Sequence, residues 1–217
     1  MFSFLQSFLN TFPIFLTASW MTLQITAISL IIGLAIGLVF ALLKVSGLPL
    51  TGTIYSAYVG IIRGTPLIVQ IMWLYFGITQ LVVLSAFWAG TIALAIHGGA
   101  YIAEIFRGAI QSVDRGQMEV SESLGMKRSL AMRRIILPQA FRRAIPPLGN
   151  QFIIGLKDSS LVAFIGITEI FSLSMDKAAV TFRQLEFYTI AGIYYLLMVA
   201  IFTMALHWLE NHMDTEK

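Results

Sequence analysis

Residues 14–43 read IFLTASWMTLQITAISLIIGLAIGLVFALL, a run without a single Asp, Glu, Lys or Arg. A helix crosses the hydrocarbon core of a bilayer with ~20 mainly apolar residues, so this stretch is a membrane span with length to spare for tilt. Lys44, Gly47 and Pro49 punctuate its end. The rest of the composition agrees. Over 217 residues the chain is 58% hydrophobic and 12% charged, whereas a water-soluble domain carries ~25% charge. The charge-free run reaches back to Met1 and lacks both the Lys/Arg start and the small-residue cleavage site of a secretory signal; it is expected to be retained. There is no cysteine, which excludes disulfides, thiolate catalysis and cysteine metal sites.

Outward from that span, residues 1–13 place Phe2, Leu5, Phe8, Leu9 and Phe12 on one helical face and Ser3, Gln6, Ser7 and Asn10 elsewhere. That pattern suits an interfacial helix, with an irregular lead-in as the equal alternative. A second span is expected over residues 54–84, interrupted by Arg63-Gly64-Thr65-Pro66, and a third over 87–110 with Glu104 and Arg107 near its end. A fourth begins near Pro146 and passes Lys157 and Asp158 toward residue 170, and a fifth covers 187–209. The expectation is an all-α membrane protein: five transmembrane helices within residues 14–210, a cytoplasmic loop at about 111–143, and a tail at 211–217.

Cations near short loops remain cytoplasmic. The stretch 107–143 carries an excess of five positive charges in a chain whose net charge is +3. Placing it inside puts the C-terminus inside and the N-terminus outside. An odd span count and the lack of an internal repeat argue against a transporter built from two inverted halves in one chain. Five helices are few to enclose an aqueous path, so two chains form the natural unit.

The loop reads as helix, turn, helix: residues 117–124 suit a helix, Gly125 a C-terminal stop, Ser129 a cap for a second short helix, and Pro138 its close. Such short helices bury little alone. Met118, Val120, Leu124, Leu130, Met132, Ile135 and Leu137 are therefore read as seeking a partner surface, with the surrounding arginines supplying charge complementarity. A loop held on anionic lipid is the alternative.

These residues resemble the integral-membrane permeases of binding-protein-dependent ABC importers. The family's loop signature is Glu-Ala-Ala, three residues, Gly, nine residues, Ile, one residue, Leu-Pro. Here Glu119-Val120-Ser121, Gly125, Ile135 and Leu137-Pro138 stand at that spacing, with Val120 and Ser121 in place of the two alanines. Other stretches are similar to the polar-amino-acid branch: Arg63-Gly64-Thr65-Pro66-Leu67, the run from Ala100 to Gly108, Leu137-Pro138-Gln139-Ala140, the run from Pro146 to Gln151, and the run from Leu156 to Leu161. The resemblance implies a type I ABC importer permease fold with cytoplasmic coupling helices, in the cytoplasmic (inner) membrane of a bacterium. It implies pairing with a second permease copy, identical or different, on two ATP-binding subunits, and delivery of a polar amino acid by an extracytoplasmic binding protein. Glu119, Ser121, Gly125, Arg133, Ile135, Leu137 and Pro138 become the residues expected to couple to the ATPase. The chain has no Gly-x-x-x-x-Gly-Lys-Ser/Thr phosphate loop. It is expected to bind no cofactor itself and no nucleic acid, with ATP and Mg used by the partner subunit.

Polar or glycine-rich backbone deep in a span is costly unless protein or water meets it. Two places qualify: His97-Gly98-Gly99-Ala100-Tyr101, where free backbone donors could meet a cargo carboxylate, and Gly149-Asn150-Gln151. The alternatives are tight helix packing for the glycines and a satisfied interior histidine. In the resembling family these regions face each other across the path, which makes His97, Gly98, Gly99, Tyr101, Asn150 and Gln151 the expected substrate residues. Relatives that carry cationic amino acids tend to show a carboxylate where this chain has Gln151, so glutamine is the favoured cargo. His97, where glutamine-type relatives often have Asn, could instead favour an acidic one. Arg63, Glu104, Lys157 and Asp158 are structural or gating charges. Lys157 and Asp158 are read as structural, with Glu104 and Arg63 as candidate partners. Intramembrane catalysis lacks support: only His97 of the three histidines lies deep, and no His-Glu-x-x-His motif occurs.

Overall fold

The computed structural model describes residues 2–214. Met1, at the expected outward N-terminus, and residues 215–217 of the expected tail lie outside the described residues, as do the side chains of Phe2, Ser3, Met213 and Asp214.

Every described element is helical. Helix α1 runs Phe2–Val45 without a break, so the N-terminal segment and the first span form one rod through Pro13. Phe8 stacks on Tyr194 at 5.6 Å, while Leu5 and Leu9 stay exposed. Buried hydroxyls inside α1 satisfy themselves on the preceding turn, Ser19 on the Phe15 carbonyl at 2.8 Å and Thr26 on that of Thr22 at 2.8 Å. Helices α2 (Pro49–Gly64) and α3 (Leu67–Met72, continued by a π-helical turn, Trp73–Gly77) meet at a 102° bend. The expected interruption at Thr65-Pro66 is thus a sharp break: Pro66 has no N–H and forces extended backbone on Thr65.

Helix α4 (Ala86–Ser112) is the central pillar. Gly33 and Gly37 of α1 lie against it so closely that a Cβ at Gly37 would stand 2.5 Å from Ile102 Cγ2 and 2.9 Å from the Ala103 nitrogen. Small residues at a membrane seam let backbones approach and dispersion contacts accumulate. The loop then folds as α5 (Arg115–Ser123) and α6 (Arg128–Ala131), and a π-helical turn (Met132–Ile136) carries α6 directly into α7 (Leu137–Asp158). A 3-10 segment (Ser159–Ile165) leads to α8 (Ile170–Thr181) and the long α9 (Gln184–Asp214).

Three boundaries correct the sequence reading. Lys127, not Ser129, precedes α6, and no side chain caps it. Pro138 does not end that helix; it stands where the π-helical turn passes into α7, and that turn, with the Leu137 amide reaching back to the Met132 carbonyl, accommodates the residue that has no N–H. The fourth expected span begins at Leu137 rather than Pro146 and keeps Pro146 and Pro147 inside the helix. Three described helices are long and apolar enough to cross a membrane, and the bent α2–α3 pair brings the number to four. Helix α7 falls short on composition, because Arg142, Arg143, Asn150, Gln151, Lys157 and Asp158 interrupt its apolar face. The expected count of five is therefore not reached on length and apolarity.

Three apolar clusters hold the bundle: one of α1, α7, α8 and α9 around Phe15, Ile170, Ile190 and Tyr194; one around Ile25, Ile71, Ala93 and Val162; and one of α1, α4 and the loop side around Ile102, Phe106, Ile136 and Ala144. Glu169, fully buried, caps α8 by accepting from the Phe171 and Ser172 amides at 2.9 and 2.7 Å and from the Tyr195 hydroxyl at 2.6 Å. Nothing in its sequence neighbourhood marked it.

Candidate functional site

The middle of the bundle contains a cavity of about 20 Å³ where α1, α4 and α7 converge. Helix α1 contributes Thr26, Ser29 and Leu30, α4 contributes Leu94, His97, Gly98 and Ile102, and α7 contributes Gln151, Phe152, Gly155 and Asp158. That volume admits roughly one water, not an amino acid. The two stretches singled out in the sequence do face each other: a Cβ at Gly98 would lie 3.9 Å from Gln151 Nε2. Gln151 is 9% exposed, so its amide sits among protein groups rather than solvent.

The structure brings together His97, Gly98, Gln151 and Asp158 but not the remaining candidates. Residues 97–101 form no turn; α4 is continuous there, so its amides are engaged within the helix and the expected free donors do not exist. Gly99 is a packing residue, since a Cβ would stand 2.9 Å from the Tyr58 hydroxyl and 3.0 Å from Ile36. Tyr101 leaves the cavity wall, its ring 5.3 Å from that of His97 and 4.8 Å below the Arg63 guanidinium. Asn150 is exposed on the next face of α7, about 100° round the helix from Gln151. Thr26 and Ser29 were missed because their hydroxyls look, in sequence, like the other small polar residues of α1. Gln70 was missed too, though it reaches His97 Nδ1 at 3.3 Å.

The four charges separate. Glu104 accepts from Arg107 at 2.8 and 3.2 Å and from the Tyr55 hydroxyl, while Arg107 also donates to Gln111 at 2.6 Å. Arg63 is committed to the Tyr101 ring. Neither is the partner of Lys157 or Asp158, correcting that expectation: Lys157 is exposed, and Asp158 is half-buried at the cavity edge.

On the loop, Asp114 caps α5 by accepting from the Gly116 amide at 2.7 Å. The helix ends with Gly125 at φ +80°, its amide on the Glu122 carbonyl at 2.9 Å and the Met126 amide on that of Ser121 at 3.1 Å. This paired closure needs a left-handed residue, which glycine supplies without strain. Val120 and Leu124 stand 61% and 77% exposed, an apolar edge without a partner among the described residues. Ser121 points inward, 2% exposed, with its hydroxyl on the Gln117 carbonyl. Met118, Met132, Ile135 and Leu137 pack on the chain's own third cluster, so four of the seven apolar residues read as partner-seeking are satisfied at home. Arg133 and Pro138 are exposed, and Glu119 lines an 830 Å³ trough with Lys44, Arg115 and Arg128. Arg143 donates to the Ser112 carbonyl and hydroxyl, tying both ends of the loop together.

A helical bundle with a broken span, a polar cavity at its centre and a rigidly capped helical loop with an unpartnered apolar edge defines a membrane-embedded transport subunit. Residues 33–215 match the family described as "Binding-protein-dependent transport system inner membrane component", and the chain belongs to it. Its curated relatives include the glutamine transport system permease protein GlnP of Escherichia coli, 36% identical over 93% of each chain, and the arginine transport system permease protein ArtQ of Bacillus subtilis, 37% identical over 88% of each. A solved structure titled as an amino acid ABC transporter with histidines contains a chain of TM-score 0.89 and 40% identity, covering 95% of this chain and 97% of that one. The chain is thus a permease component of an ABC importer rather than an enzyme, and ATP hydrolysis belongs to a partner ATPase.

Proposed function

We propose that two copies of this chain form the translocation path of an importer for a polar amino acid, glutamine first, delivered by an extracytoplasmic binding protein and driven by two ATP-binding subunits. The observation that carries the reading is Gln151, buried across the cavity from His97. At that depth an unmatched ammonium or carboxylate costs several kcal/mol, whereas an amide pairs with an amide without net charge. The cavity of one chain is too small for cargo, so the path opens by movement against a second copy. Membership with glutamine and arginine permeases among the relatives supports an amino-acid cargo. The excess of five positive charges over residues 107–143 supports a cytoplasmic loop, with the C-terminus inside and the N-terminus outside a bacterial inner membrane. On this reading Glu119, Val120 and Leu124 meet the ATPase, and Gly125 sets the angle at which they do so.

Asp158, at the edge of the same cavity, favours a second reading in which the cargo is cationic. Gln151→Glu separates the two in the purified membrane complex, by competition for the permease itself. For a neutral cargo the variant should lose glutamine affinity about tenfold and gain lysine or arginine relative to it. An unchanged preference in a folded, ATPase-competent variant makes Gln151 a packing residue. A wild type that already prefers arginine selects the cationic reading.

A further inference from the structure

We infer that Gln70 fixes His97 as its neutral, Nδ1-protonated tautomer, so that the ring offers the cavity an acceptor and admits a cargo amide while refusing a carboxylate. The cargo half rests on the function proposed above; the tautomer does not.

The chain of bonds starts at the break between α2 and α3. Gln70 Nε2 lies 2.8 Å from the Ile62 carbonyl, 3.2 Å from the Thr65 carbonyl and 2.8 Å from Thr65 Oγ1. The carbonyls can only accept, and the Thr65 hydroxyl gives its own proton to the Ile61 carbonyl at 2.9 Å. All three contacts therefore require the nitrogen end of the amide. The flipped side chain would set Oε1 against two carbonyl oxygens, acceptor against acceptor, with only the longer 3.5 Å approach of the Thr65 hydroxyl left to the Ile62 carbonyl. Orientation thus fixed, Gln70 Oε1 faces His97 Nδ1 at 3.3 Å. An amide oxygen cannot donate, so the proton must be on Nδ1.

Gln70 is the one hydrogen-bond partner of His97 among the described residues. An imidazolium at membrane depth without a carboxylate bound to it would be expensive, so the ring is neutral and Nε2 is bare. His97 also lines the cavity, across from Gln151. The cavity then presents an acceptor at His97, both a donor and an acceptor at Gln151, and at its edge the Asp158 carboxyl group, a further acceptor when ionised. A carboxamide, which carries both, satisfies this set. A carboxylate, which only accepts, leaves Nε2 facing a lone pair. On this inference a histidine at this position does not favour acidic cargo. Gln70 acts as a positioning residue, through His97 rather than on the cargo.

The test is ¹⁵N NMR of the histidine-labelled complex of this chain with its ATPase in lipid, without cargo, using His97→Asn to identify the His97 signals. Protonated and bare ring nitrogens resonate far apart, so the tautomer reads directly. The expected result is a protonated Nδ1 and a bare Nε2. Gln70→Leu should lose that signature, and Gln70→Glu, whose carboxylate still accepts, should keep a proton on Nδ1. In the same complex glutamine should outcompete glutamate about tenfold or more, and Gln70→Leu should erode that margin. A wild-type Nε2–H or imidazolium signature, or a Gln70→Leu variant with the wild-type signature, overturns the inference. Equal competition by glutamate with the signature intact overturns its cargo half. Failure of both amino acids to compete, with the signature intact, rejects the proposed function while leaving the tautomer standing.

Discussion

The cavity at the centre of the bundle and the loop of α5 and α6 are both polar places in an apolar protein, and they are built in opposite ways. In the cavity a few polar groups are enclosed: Thr26 and His97 are held by the Thr22 carbonyl and by Gln70, and the Gln151 amide is buried beside them. On the loop many charges lie open around an 830 Å³ trough, and the backbone carries the definition through the Asp114 cap and the Gly125 closure. Enclosed groups have no water to fall back on, so each is worth much, and in the proposed function they choose the cargo. Open charges are screened, so each is worth little, and the loop works by shape. The same contrast ranks the expected effects of mutation.

The largest effect should come from the wall that makes the cavity possible. Gly37→Leu would drive a side chain into Ile102 and the Ala103 backbone, starting from a Cβ contact of 2.5 Å. The expected cost is about 3 kcal/mol or more, at the upper end for overpacking, because backbone cannot yield as a side chain can. Thermal unfolding and membrane yield of the variant measure it. A fully stable Gly37→Leu protein would mean that the α1–α4 seam is soft and the cavity is not preformed.

Next comes the loop. Gly125→Val puts a β-branched residue at φ +80°, a strain of roughly 1–3 kcal/mol that α5 can relieve by losing its closure. The subunit should insert and remain folded, while uptake falls at least about tenfold for each 1.4 kcal/mol by which productive docking is weakened. ATP hydrolysis and uptake measured side by side check it. Normal coupling in this variant would remove the loop from the interface.

The smallest effect belongs to an open ion pair. Arg128 and Glu122 approach to 3.9 Å with side chains 78% and 44% exposed. Glu122→Gln should change stability by less than about 1 kcal/mol, and less still in high salt. A larger loss in the same unfolding assay would show that the loop depends on its charges after all, and would break the comparison.

What the sequence disclosed, and what it withheld, follows the same division. Long apolar runs announced α1, α4 and α9, and Thr65-Pro66 announced the broken span, because bilayer thickness and proline geometry act locally. Helix α7 was placed too late, since Pro146 and Pro147 look like a start when read alone and the π-helical turn feeding Pro138 into the helix leaves no trace in composition. His97, Gly98 and Gln151 stood out as polar or small residues in apolar surroundings. Gln70 did not, because its importance lies in bonds to Ile62, Thr65 and His97 that exist only once α2 and α3 fold back at 102°. On the loop, exposure was the unreadable quantity: Val120 and Ser121 are neighbours, yet one faces out at 61% and the other in at 2%.

The central claim is that this chain conducts an amino acid only when a partner ATPase drives it through the loop. The direct measurement is glutamine uptake into proteoliposomes holding the chain, with and without its ATPase, supplied with glutamine-loaded binding protein. The account predicts ATP-dependent accumulation when the ATPase is present and no flux when it is absent. Glutamine flux through the chain alone, indifferent to ATP, would contradict it.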